Sequence, residues 1–560
     1  MTADYRLQAL EDPTIVVQEL YRAHSESGSF PRFVAEHFRR LFEPQNAFRR
    51  IPTLDVRRPP ESHRDRALVR FRAMVQDTSL STEMYLSKFT DGNCGGWGIY
   101  ETEGGSSSSA REVDYANLRE CSVLWATSVP AESEWIADEL DGSPSARATT
   151  PTRAPVSPRS YKYPHAETGH VGVQVKIYDR EGVDSFKSTE VVTFVGILSS
   201  EPCNLDQTSP SPTDAPTLHV LFTQPHTPTV LSRPFPRVER PIPEAHVVSA
   251  DKHMPERVAE DNNQIREELI SWIADEALGG DRVAAEWVLL SCISRVQSRH
   301  PPLLPPSLTI SRFPPPPPIP STAPSATLPT PTLSSVLQML LPLMYTLPLS
   351  LDTLNKSRFV PESKDEDLHA GVLQLPQGTV LLVTEGGVRE GQLREHGVMN
   401  VRALQDVMDA QTLPYVFPYS QFSFPTDITC IVLSEGRKST FFKTDLNVPL
   451  RAPTTPGAVA ALYKPADEVK LPPAEKLAAF RDLVVGARVG KVQVPVETSE
   501  HIQTEFVRER QGDRSLTADD LIRRMTVAKL YALSAHEPSL SIETWQRAKK
   551  FDDERRALIA

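Results

Sequence analysis

The apolar positions near the start of the chain recur at helical spacing. Between residues 12 and 50, apolar side chains follow one another at steps of three and four. They are Ile15, Val16, Leu20, Phe33, Val34, Phe38 and Leu41. Side chains at this spacing lie on one face of a helix. The pattern predicts an N-terminal helical segment over residues 1–55.

From residue 66 onward the pattern changes to strict alternation. In the segment ALVRFRAMVQD, every second residue is apolar and faces one way: Val69, Phe71, Ala73 and Val75. A period of two is typical of a β-strand. Two more strands are predicted in the segments VGVQVKIYD and EVVTFVGILS. Strands this short need partners, so we predict one β-barrel over residues 56–235.

Three segments have a composition that does not favour folding. They are rich in Gly, Ser, Thr or Pro and lie at about 103–113, 141–168 and 312–332. Such segments bury too little apolar surface to offset the loss of chain entropy. We predict disordered insertions at the first two positions and an exposed, proline-rich insertion at the third.

The second half of the chain carries buried strands and long helices. Two apolar strands are predicted, at Gly378–Gly387 and Ile428–Gly436, and a helix is predicted between them at Val401–Gln411. Strand, helix and strand in this order indicate a parallel sheet. We therefore predict an α/β domain over residues 255–500. A closing helix pair is predicted over 513–560, beginning with a capping-box pattern.

The most apolar stretch runs from Leu333 to Leu351 and is long enough to suggest a membrane span. It contains Pro342, Pro348 and Gln338, which are unfavourable in a span. We predict a buried helix that breaks near Pro342. The first residues, MTADYRLQALEDP, do not have the apolar core of a signal peptide.

Charge and cysteine content narrow the function classes. The chain has 560 residues, 51 of them proline, and a net charge of -12. A negative surface repels phosphates, which favours protein partners over nucleic acid. The five cysteines, which show no zinc-like spacing, indicate neither a disulfide framework nor a structural metal.

A nucleotide site is the first candidate for chemistry. The strand LLVTE ends in Glu385, and an acidic residue at such a position can hold Mg²⁺ opposite a phosphate-binding loop. That loop is missing, since no GxxxxGK[ST] occurs and its nearest counterpart, Gly436–Thr440, lacks the first glycine. We interpret Glu385 as a cap that faces solvent. Hydrolase signatures such as HExxH and GxSxG are also absent. The sequence predicts no catalytic residue, no cofactor-binding residue and no metal ligand.

A group of arginines near the first predicted strand has two interpretations. Its members are Arg57, Arg58, Arg64, Arg66, Arg70 and Arg72. They could form the nucleic-acid face of an OB-like barrel. They could equally be a solvated run of charge, which the shortage of interleaved aromatic residues favours.

Several segments together resemble the mini-chromosome maintenance (MCM) complex-binding protein family. They are VRFRAMVQD, VKIYDREGVDSFKSTEVVTFVGILSSEP, LGGDRVAAEWVLLSCIS, the long block from GVLQLPQGTVLLVTEGG to ITCIVLSEGR, and the C-terminal LTADDLIRRMTVAKLYALSAHEPSLSIETWQRAKK. The blocks are collinear and cover roughly half of the chain.

This family in turn resembles the MCM helicase subunits in a catalytically silent form. By the resemblance, LLVTE stands at the Walker B strand, Ser434 replaces the sensor asparagine, and the C-terminal helices form an AAA+ lid. The acidic pair is reduced to Thr384–Glu385, and no arginine-finger SRFD follows the sensor-like strand. The implied fold is multidomain α+β and α/β. It comprises an N-terminal helical piece, an OB-like β-barrel with disordered insertions, and a degenerate AAA+-like α/β domain with a C-terminal helical lid.

The resemblance also implies a function. The chain would be a nuclear, non-enzymatic protein without cofactor that associates with MCM helicase subunits. It would regulate the assembly, stability or unloading of the MCM complex in DNA replication, the cell cycle and sister chromatid cohesion. Chromatin binding would be indirect, and no membrane or small-molecule substrate is implied. The alternative is an OB-type single-stranded nucleic-acid-binding protein.

Overall fold

The structure is a computed structural model of the 560-residue chain. It describes residues 2–24, 29–100, 114–141, 157, 159–165, 168–179, 186–203, 213–226, 231–237, 254–317, 329–365, 367–388, 390–451, 455–514 and 516–559. The insertion predicted at about 103–113 lies outside the described residues. So do most of the insertion predicted at 141–168 and the middle of the proline-rich insertion.

Four helices open the chain. They are α1 (Thr2–Glu11), α2 (Pro13–His24), α3 (Phe30–Leu41) and α4 (Gln45–Phe48). The side chain of Arg6 ties the first helix to the third, because its Nε donates to the Leu41 carbonyl at 2.8 Å. Val17, Val34 and Phe38 are buried in one cluster with apolar residues of the barrel wall. The predicted N-terminal helices are confirmed, and they pack on the strands that follow.

Five strands close into a barrel. In chain order the elements are β1 (Leu68–Asp77), β2 (Glu83–Leu86), β3 (Leu118–Ser128), α5 (Glu134–Asp141), β4 (Gly172–Ile177), β5 (Val191–Cys203) and β6 (Thr213–Pro225). The order around the barrel is β1-β5-β6-β4-β3, and β3 pairs with β1 again, while β2 pairs with β3. Only β4 and β6 run parallel among the barrel pairs of the described chain. The predicted alternation is confirmed, since Val69, Phe71, Ala73 and Val75 all lie in the inner cluster.

Residues 254–559 form the C-terminal half, which is built from helices and two larger sheets. Its first elements are α6 (Met254–Ala277), α7 (Arg282–Ile293), β7 (Ser298–Arg299), β8 (Pro302–Leu303), β9 (Leu308–Ser311), α8 (Thr332–Leu340), β10 (Met344–Pro348), α9 (Leu351–Lys356), β11 (Glu362–Lys364) and β12 (Asp367–His369). The next are β13 (Thr379–Thr384), α10 (Glu395–Ala410), β14 (Thr412–Phe417), β15 (Ser420–Pro425), β16 (Ile428–Leu433) and β17 (Leu446–Pro449). The last are α11 (Pro456–Ala461), α12 (Ala474–Val489), α13 (Val496–Gly512), α14 (Ala518–Ser534) and α15 (Ile542–Ile559).

The larger sheet of this half is parallel. Its strand order is β10-β13-β16-β9-β17. The two strands predicted from sequence are β13 and β16, and they are direct neighbours, with Leu381 opposite Cys430. The helix between them begins at Glu395, six residues before the predicted start. A second sheet, of order β12-β11-β14-β15, lies beside it.

The most apolar stretch is only half helical. The helix α8 ends at Leu340, and Pro342 is followed by β10, the edge strand of the parallel sheet. The predicted break near Pro342 is confirmed, but the predicted helix after it is wrong, because this segment is buried as a strand against β13. Among the described helices, none has the length and apolar character needed to cross a membrane.

The C-terminal helices pack back onto the sheet-flanking helices. The ring of Phe551 on α15 stacks on Trp287 of α7, with centroids 4.6 Å apart. The capping box predicted at the start of α14 is present, with Thr517 and Asp520 each bonded to the other's backbone N–H. These helices therefore share a core with the rest of the C-terminal half.

A buried ion cluster joins the barrel to the C-terminal half. Lys162 is wholly buried, and its Nζ lies 2.7 Å from a carboxylate oxygen of Asp77, at the end of β1. The same ammonium group contacts Asp367 of β12. Tyr161 donates its hydroxyl to Asp367 at 2.8 Å. Residues 159–165 thus hold fixed positions, although the sequence predicted a disordered insertion across 141–168.

Amide side chains extend this joint. Gln76 Nε2 donates to the Leu368 carbonyl at 3.3 Å, and Gln374 Nε2 donates to the Gln76 carbonyl at 2.9 Å. The hydroxyl of Tyr415 lies 2.7 Å from that of Ser188. The two parts of the molecule are therefore joined through a buried polar interior.

Candidate functional site

The carboxyl ends of three parallel strands form the first candidate site. The ends of β9, β13 and β16, which we call the carboxyl edge, lie side by side. Ligands of open parallel sheets bind in the crevice outside such ends. The predicted nucleotide-related residues, Glu385 and Ser434, both stand here, immediately after β13 and β16. The strand topology brings them together as the sequence pattern suggested.

Glu385 does not face solvent. It is 5% exposed and accepts hydrogen bonds from the Ser439 hydroxyl at 2.5 Å and from the Thr440 N–H at 3.0 Å. The predicted solvent-facing cap is therefore wrong, because the loop after β16 folds over the carboxylate. The segment Gly436–Thr440 was considered above as the nearest counterpart of a phosphate loop. Two of its residues, Ser439 and Thr440, bind the carboxylate of Glu385.

The residues that follow β9 use their backbone N–H groups within the chain. The backbone N–H groups of Arg312 and Phe313 donate to the carbonyls of Gly436 and Ser434, each at 2.9 Å. The prolines that follow have no N–H to offer. A phosphate cradle needs free backbone N–H groups, and these two are already used.

The proline segment, residues 313–317, packs at the carboxyl edge. The Pro314 carbonyl accepts a hydrogen bond from the Tyr463 hydroxyl at 2.7 Å. A Cβ added at Gly386, next to Glu385, would lie 2.9 Å from Pro316 Cδ. Glycine is thus needed at 386 because Pro316 packs directly on its Cα.

Ser434, at the end of β16, is also bonded within the chain. Ser434 Oγ donates to the Lys438 carbonyl at 3.0 Å. Burial and the nearby charge of Glu385 raise the pKa of Glu435. Within the described part of the chain, no cluster of three or more His, Cys, Asp or Glu side chains could hold a metal ion. Glu385 and Ser434 are thus both bonded to the loop after β16.

The arginines near β1 do not form a free basic face. Each contacts a carboxylate or a main-chain carbonyl of this chain. The contacts are Arg57 with Asp138, Arg58 with Asp55, Arg66 with Asp65, Arg72 with Glu132, Arg64 with the Leu10 carbonyl and Arg70 with the Ile51 carbonyl. Paired charges attract phosphates weakly, so this arrangement favours the solvated or structural interpretation.

A cleft of about 1730 Å³ lies between the barrel and the C-terminal half. Trp135 lines it, donates Nε1 to the Gln338 carbonyl at 3.0 Å and lies under the guanidinium of Arg481. His165 stacks on Tyr345 with centroids 3.8 Å apart, and burial lowers the pKa of His165 to about 3. The cleft carries side chains of both signs, including the Arg72–Glu132 pair, so it does not select one charged ligand.

Sequence reasoning missed two features. Lys162 lies inside a segment whose composition is typical of disorder. The feature of the sequence that indicates burial is the pair of aromatic residues on either side of it, Tyr161 and Tyr163. The hairpin of β14 and β15 carries exposed aromatic side chains, and its signal is the run YVFPYSQFSFP.

Comparisons with known proteins agree over nearly the whole chain. A sequence model of the family described as "Mini-chromosome maintenance replisome factor" matches residues 38–159 and 145–559. The chain is similar to the mini-chromosome maintenance complex-binding protein of Salmo salar, with 27% identity over 98% of this chain and 97% of the relative. It is 26% identical to proteins of the same name from Homo sapiens, over 98% and 97%, and Arabidopsis thaliana, over 92% and 91%. The chain therefore belongs to the mini-chromosome maintenance replisome factor family.

Proposed function

We propose that this chain is a non-catalytic protein that binds the MCM helicase complex. The names of its relatives, which describe MCM complex-binding proteins, supply the partner. The observation that carries the non-catalytic part is the packing at the carboxyl edge. Pro316 packs against Gly386 at the carboxyl ends of the strands, and Glu385 is bonded to the loop of Ser439 and Thr440.

We assign the C-terminal half to a degenerate AAA+-like domain with a helical lid. The acid-bearing strand β13 is next to the sensor-like strand β16, and β9, from which a phosphate loop would extend, is next to β16 on its other side. Residues after β9 are proline-rich. We also assign the barrel to the OB-like class, because five strands close with connections that skip neighbours.

A pseudo-subunit of this kind acts through its shape. It presents an AAA+-like surface to a neighbouring MCM subunit and occupies that subunit's interface without completing an ATP site. By this means it regulates the assembly, stability or unloading of MCM complexes in the nucleus, during DNA replication and sister chromatid cohesion. Chromatin association follows from the MCM partner.

Affinity capture tests this proposal. The tagged full chain is incubated with nuclear extract, and the proteins that elute with it are identified by mass spectrometry. We expect MCM subunits to elute with the chain in the presence of nuclease and in the absence of added ATP. Elution without MCM subunits would overturn the proposal.

The nucleic-acid alternative is tested by anisotropy with a labelled single-stranded oligonucleotide across salt concentrations. A steep loss of affinity with salt is the signature of phosphate contacts. We expect weak binding, because the arginines near β1 are paired within the chain.

A further inference from the structure

The hairpin of β14 and β15 forms the outer edge of the smaller sheet. Antiparallel pairing places Leu413 opposite Phe424 and Tyr415 opposite Phe422. Residues opposite one another in a pleated sheet point to the same face. These four side chains therefore share one apolar face.

Only half of that face is covered. Leu413 and Tyr415, on β14, are buried in the core of the C-terminal half. Phe422 and Phe424, on β15, are 55% and 43% exposed, and Tyr419 in the turn is fully exposed. The apolar face thus extends from the core onto the outer strand β15, where it is exposed to solvent.

The outer side of β15 is a free sheet edge within the described part of the chain, because β15 pairs there with β14 alone. Natural edges are usually protected by charged side chains, prolines, bulges or short length. The hairpin, residues 412–425, contains no Asp, Glu, Lys or Arg, and β15 runs for six residues with proline only at its last position, Pro425. This edge lacks charge protection.

The hairpin is held firmly at its base. Gln411 bonds both the N–H and the carbonyl of Ile428, at 2.8 and 2.7 Å. The Tyr415 hydroxyl accepts from Gln374 Nε2 at 3.2 Å in the joint with the barrel, and the Phe424 ring packs 4.7 Å from the Tyr415 ring. A preorganised edge loses little conformational entropy when it binds.

We propose that β15 is a docking edge to which an MCM subunit adds an extended segment as a fifth strand. This inference rests on the proposed function for the identity of the partner. The free backbone N–H and carbonyl groups of an edge strand select an extended peptide, and Phe422 and Phe424 select apolar side chains on it. A single-stranded nucleic acid would also stack on aromatic rings, but the hairpin has no cation to meet its phosphates.

The test uses the full chain and its Phe422→Lys variant. A lysine on an edge strand opposes strand addition. Met399→Lys is the matched control, because Met399 is an equally exposed apolar residue, 57%, on helix α10. Capture of MCM subunits from nuclear extract is quantified for each protein. We expect Phe422→Lys to reduce capture at least tenfold and Met399→Lys to match the unaltered chain.

Hydrogen exchange provides a second measurement that needs no variant. In the captured complex, amides of residues 420–424 should exchange more slowly than in the free chain, because strand addition bonds the outward N–H groups. Normal capture by Phe422→Lys, or unchanged exchange at β15, would overturn this inference while the proposed function stands. If the unaltered chain captures no MCM subunit, both fail.

Two other occupants are distinguished in the same series. Salt-sensitive binding of oligothymidylate that Phe422→Lys abolishes would assign the edge to nucleic acid and overturn the inference. Concentration-dependent dimerisation of the free chain, removed by the same substitution, would assign it to a second copy and overturn it as well.

Discussion

Lys162 illustrates what one buried charge does in this molecule. Its ammonium group lies between Asp77 and Asp367, and all three side chains are buried or nearly so. Removing one partner of a buried ion pair leaves an uncompensated charge and costs about 3–5 kcal/mol. We expect Lys162→Met to lower the free energy of unfolding by about that amount, measured by urea denaturation.

Lys364 provides the matched control, because it pairs with Glu362 at 3.6 Å on the surface of β11. Surface pairs contribute about 0–1 kcal/mol, so Lys364→Met should have little effect. Equal destabilisation by the two substitutions would show that the buried cluster does not hold the joint.

His536 gives the fold a specific sensitivity to acid. Its Nδ1 accepts from the Arg237 N–H at 2.9 Å, and its Nε2 lies 2.8 Å from the Leu483 carbonyl. The ring is therefore neutral, with its proton on Nε2, and burial lowers the pKa of His536 to about 4. The unfolded chain binds the proton near pH 6.5. Stability is therefore lost as the pH falls from about 6.5 to 4, by about 3 kcal/mol, and no further loss from this group follows below.

Urea denaturation at several pH values measures this effect. His536→Gln should lower stability at pH 7 but flatten its dependence between pH 6.5 and 4. His24→Gln, at an exposed position on α2, should keep the slope of the unaltered chain. A His536→Gln variant with an unchanged slope would contradict the prediction.

At the scale of elements, the carboxyl edge is formed by the neighbouring parallel strands β13, β16 and β9, and the proline-rich connection after β9 packs against it. We expect the purified chain to bind and hydrolyse no ATP above background, because the N–H groups of Arg312 and Phe313 are bonded to the loop after β16. Fluorescent ATP-analogue binding and phosphate release measure this. ATP turnover that Glu385→Gln abolishes would contradict it.

The sequence predicts an element well when the pattern of its apolar residues fits only one type of secondary structure. The alternation around Phe71 and the apolar runs of β13 and β16 identify strands correctly, since burial on defined faces fixes the period. The stretch Leu333–Leu351 is different, because a helix and a fully buried parallel strand are both apolar throughout. Pro342 marks the boundary but not the type of element that follows.

The position of the candidate site could be predicted from the sequence, but the burial and hydrogen bonding of its residues could not. Strand order places Glu385 and Ser434 together, as the pattern suggests. The burial of Glu385 depends on Ser439 and Thr440, which follow a different strand, while Pro316, from a third connection, packs on the neighbouring Gly386. Contacts between loops leave no periodic signal in a single sequence.

At the scale of the whole molecule, the barrel and the C-terminal half share apolar contacts as well as the ion cluster. Val129, Ile136 and Val191 form one buried cluster with Leu343 and Val485 of the C-terminal half. We expect a segment of residues 2–237, expressed alone, to melt at least about 5 °C below the full chain, since it exposes this cluster. Differential scanning calorimetry measures it. An equal melting temperature would show that the barrel is stable independently.

The joint itself was not predictable from sequence. Its members Asp77, Lys162 and Asp367 are far apart along the chain, and no local pattern pairs them with one another. A buried charge is recognised only when its partners are known, and the fold alone supplies those partners.

The span of the joint sets an order of events during synthesis. Gln76 and Leu368 are bonded across 292 positions. The last barrel strand ends at Pro225, and Leu368 is translated about 140 residues later, which takes about 7–30 s at ribosomal speed. During that interval Lys162 has Asp77 but not Asp367. The charge cluster can therefore be complete only after β12 has left the exit tunnel.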